Sequence, residues 1–367
     1  MKRRTFLKNS MAGVGGLAGI GYSAWASGES HNLSGLQGEQ AGGSGISIGR
    51  PVRITSIGFP NSLSLDVIVE NVDQAGLAKV DVIALPELCR GLNGQSAEDL
   101  HGATVTAMAA LAKKHQTYIV CPIDRRNGDL RLNTVVLLDR HGQVACTYDK
   151  IFPYWSEYDV HPAMNVGDNA RVYPADFGLL GFATCFDVNF PEVWKRLADE
   201  GAEVVIWPSA YSSGTSLQAH AINHHFYIVS VTQNSDCLVY DITGERLFYQ
   251  KSEKVNLANV SLDLDRAIYH ENFNLDKRDK LLKEHPEDVE QEKWMKLEQW
   301  FILRAKRPGV SARELAKQYG LEELRHYLDR SRHAIDERRG WQYEAKVLFP
   351  DLDVASLKAL TYRASKL

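Results

Sequence analysis

A chain of 367 residues, 44% of them hydrophobic, can bury one large core with an appendage. Its 42 Lys+Arg against 46 Asp+Glu leave a formal net charge of -4 with no sustained basic block outside the extreme N-terminus, which argues against a nucleic-acid partner. Five irregularly spaced cysteines exclude a disulfide framework and a paired CxxC metal site, and their odd number leaves one thiol unpaired. Cys121, Cys146 and Cys237 fall inside apolar, strand-like runs, where cysteine serves as a small buried hydrophobe.

The chain opens on a processing segment. Lys2-Arg3-Arg4-Thr5-Phe6-Leu7-Lys8 is a twin-arginine n-region, Met11 to Gly21 is apolar and glycine-rich, and Ala24-Trp25-Ala26 is a small-x-small cleavage pattern. Residues 1–26 therefore read as a bacterial Tat signal cut after Ala26. That implies passage of a folded protein through the Tat export machinery to the periplasm or the outside of the cell. The apolar stretch is too short to span a membrane comfortably and no other segment reaches its length, so stable membrane insertion is not expected. Ser365-Lys366-Leu367 matches the peroxisomal address, but three residues match by accident far more easily than an ordered n-region, apolar region and cleavage site. Residues 27–50, rich in Gly and Ser, read as a flexible leader.

From Pro51 onward, apolar strands alternate with amphipathic helices, the signal for a layered α/β domain. Val52 to Phe59 reads as a strand, Ser64 to Lys79 as a helix, and Val80 to Leu85 as a strand. A helix from Ala103 to Lys114 and a strand from Tyr118 to Ile123 repeat the unit, and Thr134 to Asp139 turns through His141-Gly142 into Gln143 to Tyr148 as a hairpin. Then come a strand from Leu179 to Thr184, a helix from Pro191 to Glu200, a strand from Glu203 to Trp207 and a helix from Leu217 to His225. Strands at Phe226 to Thr232, Cys237 to Asp241 and Val255 to Leu264 complete a domain expected over residues 51–270, with both parallel and antiparallel pairing. Beyond it, 38 of the 97 residues from 271 to 367 are charged against 24% of the whole chain, and solvated helices explain this best. Ser311-Ala312-Arg313-Glu314 has the form of a capping box, and Gly320 suits a helix break before Leu321 to Arg330. Balanced charge argues against reading that helix–turn–helix shape as a DNA-binding element.

Three strand ends carry chemistry. Leu85-Pro86-Glu87 places a carboxylate just past a buried strand, where an apolar environment would raise its pKa toward that of a working base. Alone, this glutamate would pass for a solvated loop acid. Tyr148-Asp149-Lys150 puts an ammonium between a hairpin strand and an aromatic loop, where it can stabilise an oxyanion as it forms or be an ordinary surface lysine. Thr184-Cys185-Phe186-Asp187, before a helix opened by Pro191 and Glu192, sets a cysteine where a tight turn can expose sulfur and offer backbone N–H donors. A buried structural cysteine would be the plain alternative.

Taken in order, these segments resemble the nitrilase superfamily of carbon–nitrogen hydrolases from about Val52 to Arg266, including Leu132-Asn133-Thr134-Val135-Val136, Val204 to Ala210 and Asp241-Ile242-Thr243-Gly244. The resemblance is to the amidase and N-carbamoyl hydrolase branches. It implies a four-layer α-β-β-α sandwich of two mixed sheets flanked by helices, here followed by a C-terminal helical extension at 271–367. It also implies Glu87 as general base, Lys150 as the stabiliser of the tetrahedral intermediate, Cys185 as nucleophile, Glu157 as a second glutamate orienting lysine and substrate, and the Phe186 N–H as an oxyanion donor. Asp159 lies close to Glu157 and is a second candidate acid. The mechanism so implied passes through a Cys thioester, acts on a small amide-like substrate, and needs no metal or organic cofactor.

Two departures bear on the pocket. His220 and Asn223 stand where many relatives carry arginine and glutamate, and Gln233 to Asp236 is shorter than the corresponding region in many members. His220 and His224, one helical turn apart, lack a third ligand in sequence, so zinc is not expected. Nitriles would use the same three residues, but nitrilases typically carry a tryptophan–glutamate pair after the cysteine, whereas Phe186-Asp187 follows here. A catalytically silent scaffold on the same fold is the other alternative. Pairing into a homodimer or larger homo-oligomer is expected from the resemblance, and the extension could wrap a neighbour, cover the pocket or bind another envelope protein.

Overall fold

Apolar strands separated by helices sort here into two six-stranded sheets and a third of three. The computed structural model describes residues 48–92, 97–158 and 162–340, all within the compact unit Gly45–Leu367. The Tat signal at 1–26, most of the leader, Asp159 and residues 341–367 lie outside the described residues. The last three leader residues are held: Ile48 bridges Pro308, and Arg50 donates from its backbone N–H to Asp263 at 2.8 Å while its guanidinium reaches Glu203.

The first half of the domain runs β1 (Pro51–Gly58), α1 (Leu65–Gly76), β2 (Val82–Ala84), α2 (Ala103–His115), β3 (Tyr118–Asn127), β4 (Leu130–Leu138) and β5 (Val144–Asp149). Ser64 starts α1 as expected of an N-cap, its hydroxyl accepting from Val67 N–H at 3.4 Å. The second half runs β6 (Tyr173–Ala175), β7 (Gly178–Phe182), α3 (Pro191–Asp199), β8 (Val204–Ser209), α4 (Thr215–His224), β9 (Tyr227–Thr232), β10 (Asp236–Tyr240), β11 (Arg246–Lys251) and β12 (Asn256–Asp263). Pro191 opens α3 at a position where its missing N–H costs nothing.

Sheet one is ordered β12-β1-β2-β3-β4-β5 and sheet two β11-β10-β9-β8-β7-β6. In each, three central strands are parallel and the outer ones antiparallel. The inner faces share one core, in which Val52, Ile54, Val120 and Leu137 of the first sheet join Phe182, Val205 and Val229 of the second. Ser56 donates across it to Ser230 O at 3.1 Å. A second core under α1 and α2 buries Ile68, Val72, Met108 and Leu111 against Ile83 and Val136. The result is the α-β-β-α sandwich. Because the central strands are largely covered on both faces, most of their residues are buried and apolar rather than alternating.

The extension begins a third sheet. β13 (Ala267–His270) is followed by α5 (Leu275–Glu284), β14 (Val289–Met295), β15 (Trp300–Ala305), α6 (Ala312–Gln318) and α7 (Leu324–Arg338), with sheet order β13-β15-β14. Among the described residues of the extension three helices are present as composition suggested, with the strands β14 and β15 among them. Strand β14 is mostly half-buried and rich in charge, which hides it from a reading based on composition. Ser311 caps α6 by accepting from Glu314 N–H at 3.1 Å, and Gly320 takes the left-handed φ of +72° that ends that segment. Arginines fasten this part to the sandwich: Arg266 to Asp241 at 2.6 Å, Arg313 to Glu203 at 2.8 Å, and Arg325 to the carbonyls of Ala198 and Ala202 at 3.0 and 2.9 Å.

Candidate active site

Strand β7 ends at Phe182, and a 3₁₀ turn over Cys185–Asn189 follows. Cys185 opens that turn at φ +48°, a left-handed conformation that non-glycine side chains adopt at a cost. The elbow is braced by Asp187, whose carboxylate accepts from Thr184 N–H at 2.9 Å, Phe152 N–H at 2.9 Å and Tyr148 O–H at 2.5 Å. Burial pushes the Asp187 carboxyl up to about 6, against the opposing pull of Lys150 and these donors. Phe186 is the second residue of the turn, its ring 5.2 Å from that of Tyr154 and 5.4 Å from that of Phe190.

The Cys185 side chain is nearly buried, at 7% exposure. Burial pushes its thiol well above the ordinary value and the Glu87 charge pushes the same way; Lys150, the Ala210 N–H and the Ser209 hydroxyl act in the opposite direction. The sulfur therefore rests as a thiol at neutral pH, and a base is needed to make it a nucleophile.

A carboxylate whose charge acts on this thiol belongs to Glu87. Glu87, Lys150 and Glu157 come from three separate segments and meet in one buried cluster. Lys150 Nζ donates to Glu87 Oε1 at 2.8 Å and to Glu157 Oε2 at 2.6 Å. Asn133 Nδ2 donates to Glu87 Oε1 at 2.7 Å and to Glu157 Oε1 at 2.9 Å, closing a ring of four side chains. Burial works against the Lys150 charge, but Glu87, Cys185, Glu157 and Asp187 together outweigh it and hold the ammonium well above the usual lysine range. Glu87 Oε2 takes the Ala210 N–H at 2.7 Å, and the same N–H serves the Cys185 sulfur, so the carboxylate and the thiol share a donor.

Local structure explains these placements. Glu87 lies two residues beyond Leu85, with Leu88 at φ +45° turning the chain, and Gln233 Nε2 holds the Glu87 carbonyl at 2.7 Å. Lys150 follows directly on β5, its N–H bonded to Asn133 O at 2.9 Å. Glu157 sits in a 3₁₀ turn and accepts from Tyr154 N–H at 2.7 Å.

The sequence reading assigned no role to Asn133, Asp187, Tyr148, Ser209 or Ala210. Asn133 carried a usable signal, a polar amide inside the apolar run of β4. The histidines that depart from the family pattern pack instead of pairing: His220 lies on Trp194 with ring centroids 4.3 Å apart and its Nε2 contacts Val188 O at 2.8 Å, while His225 Nδ1 contacts Ile242 O at 3.1 Å. Gln233 to Ser235 turn the chain from β9 into β10, which Asp236 opens, and Gln233 thereby reaches Glu87.

A family model described as carbon-nitrogen hydrolase matches residues 62–268. A deaminated glutathione amidase from Synechocystis is 29% identical over 236 residues, 54% of this chain and 85% of that protein. Another from Dictyostelium discoideum is 25% identical over 239 residues, 53% and 81% of the two chains. Among solved structures, an amidase from Nesterenkonia superposes with a TM-score of 0.53 at 21% identity, covering 60% of this chain and 93% of that one. A carbon-nitrogen hydrolase from Helicobacter pylori gives 0.52 at 18%, covering 65% and 94%. At such identities the two structures speak to the fold alone. The matched span covers more than half of the chain and contains Glu87, Lys150 and Cys185, and this chain belongs to the carbon-nitrogen hydrolase family of the nitrilase superfamily.

Proposed function

We propose that the chain hydrolyses the C–N bond of a non-peptide amide or N-carbamoyl compound through a thioester on Cys185. Glu87 Oε2 takes the thiol proton, sulfur attacks the carbonyl carbon, and Lys150 with the Phe186 N–H holds the oxyanion. The C–N bond breaks as the leaving nitrogen receives the proton from Glu87. Water then gives a proton to Glu87 and attacks the thioester; the acid departs and the thiol is restored.

The observation that carries this reading is the buried Glu87 carboxylate, bonded through Oε1 to Lys150 and through Oε2 to the Ala210 N–H that also serves the buried Cys185 sulfur. Glu157 supports Lys150 from the other side. Amide is favoured over nitrile by the residues after the cysteine and by relatives named as amidases. Ammonia and acid release from propionamide, N-carbamoyl-β-alanine and propionitrile tests it, with mass spectrometry of the acyl adduct on Cys185. Turnover confined to the nitrile, or turnover retained by Cys185→Ala, overturns it. The twin-arginine segment supports export of the folded protein, and a periplasmic fraction free of it would remove that part of the proposal.

A further inference from the structure

The ring beneath Cys185 has a member to which the proposed mechanism gives no work. Asn133 lies at 2% exposure in the middle of β4, and both hydrogens of its amide are spent on carboxylates, one on Glu87 and one on Glu157. Its backbone carbonyl accepts the Lys150 N–H at 2.9 Å. One residue therefore touches Glu87, Glu157 and Lys150: two through its side chain and one through its main chain.

The amide can face only one way. Flipping it would set Oδ1 against two carboxylate oxygens, so the network assigns the nitrogen to them. In that orientation Oδ1 is buried and makes no hydrogen bond among the described residues. A buried acceptor left unpaired is uncommon and tends to be kept where another demand overrides it. The demand here is two acid groups so close that one nitrogen reaches both. Lys150 supplies a single positive charge to them, and Asn133 supplies two further donors without adding charge.

We propose that Asn133 is a positioning residue: it fixes the orientation of Glu87 toward the Cys185 thiol by bonding the base and Glu157 together. The inference rests on the reading of Glu87 as the base. Around the ring, the other titratable groups are Cys185 and Asp187 from the elbow, Tyr158 after Glu157 and Tyr211 after β8, and each is left in place by the test below.

The test needs no substrate. Iodoacetamide alkylates the Cys185 sulfur, forming a C–S bond with loss of iodide while the thiol proton passes to the base. The rate is followed on the Cys185 peptide of the full chain from about pH 5 to 9, the range in which a carboxylate base reports on its neighbours. Asn133→Ala removes a donor to the ionised carboxylate, so the rate at neutral pH should fall about tenfold or more and the acidic limb should move to higher pH. Asn133→Asp puts a third carboxylate in the ring and should move that limb further than alanine does. A purely structural role would lower the melting temperature of both variants and leave the limb of the folded fraction unmoved. Limbs coinciding with that of the parent protein in either folded variant overturn the proposal. Glu87→Gln, run in parallel, separates the two claims: if it leaves the alkylation profile unchanged, the base assignment fails instead.

Discussion

Replacing Lys150 by methionine keeps the reach of the side chain and removes its charge. The site is dry, with Lys150 at 1% exposure and its two acceptors at 2.8 and 2.6 Å. Deleting one member of such a buried pair commonly costs about 3–5 kcal/mol, because the remaining charge keeps its desolvation penalty without its partner. Two carboxylates tied by Asn133 can relieve this by taking up one proton. That proton is bound in the folded variant and not in the unfolded chain at neutral pH, so folding stability rises as pH falls. Lys150→Met should therefore show its largest stability deficit near about pH 7 and a smaller one near about pH 5 in urea melts. Amide turnover should fall about 10²–10³-fold from loss of an oxyanion donor, and further because a protonated Glu87 accepts nothing. A deficit that is equal at both pH values, or kcat within about tenfold of the parent, would refute the reasoning.

Three further outcomes follow from the same contacts. Glu157→Gln keeps an acceptor for Lys150 and Tyr154 but turns an amide nitrogen toward that of Asn133; losing one charge-assisted bond of about 1.5–3 kcal/mol should lower kcat about ten- to a hundredfold, measured by ammonia release. Asp187→Asn cannot accept from Thr184, Phe152 and Tyr148 together, so it should lose about 1–3 kcal/mol in urea melts and slow Cys185 alkylation; unchanged stability would count against the brace. Burial pushes His225 down to about 4, so the native state favours neutral imidazole, and stability present above the unfolded value of about 6.5 is lost as pH falls toward about 4, amounting to ~3 kcal/mol. His225→Asn, which tolerates the φ of +55° found there, should remove that acid slope, and identical slopes in the two proteins would speak against it.

Much of the sandwich was legible because its central strands are largely covered on both faces and are mostly apolar. Val204–Ser209 and Tyr227–Thr232 are buried throughout, and the sequence reading placed both within two residues. Burial is weak in three of the strands that escaped notice, whereas β13 and β15 are largely buried, β13 being short and β15 set within the charged composition of the extension. β11 is half-exposed to exposed along its length, β6 spans three residues with a proline in the centre, and β14 is mostly half-buried and rich in charge. Apolar periodicity is a record of burial, so an edge strand pairing through its backbone alone leaves little trace in the side chains.

The site divides along a similar line. Glu87, Lys150 and Cys185 stand just past the ends of strands, and a strand end is visible because the apolar run stops there. Their supports are less visible, since each acts through hydrogen bonds to groups distant in sequence: Asn133 to Glu87 across 46 positions, Asp187 to Tyr148 across 39. Yet Asn133 broke a rule that sequence alone can state. It is a fully polar amide in the run Leu132 to Leu138, the rest of which is apolar apart from Thr134. A polar group buried in a strand must find partners, and β4 lies between β3 and β5, one of which runs beside the strand leading to Glu87 while the other delivers Lys150. The topology thus leaves the two charged strand ends as the natural partners for that amide. Asp187 offered no such anomaly, because a carboxylate in a turn before a helix is common and its brace depends on Tyr148 and Phe152, which sheet one delivers from the far side of the core.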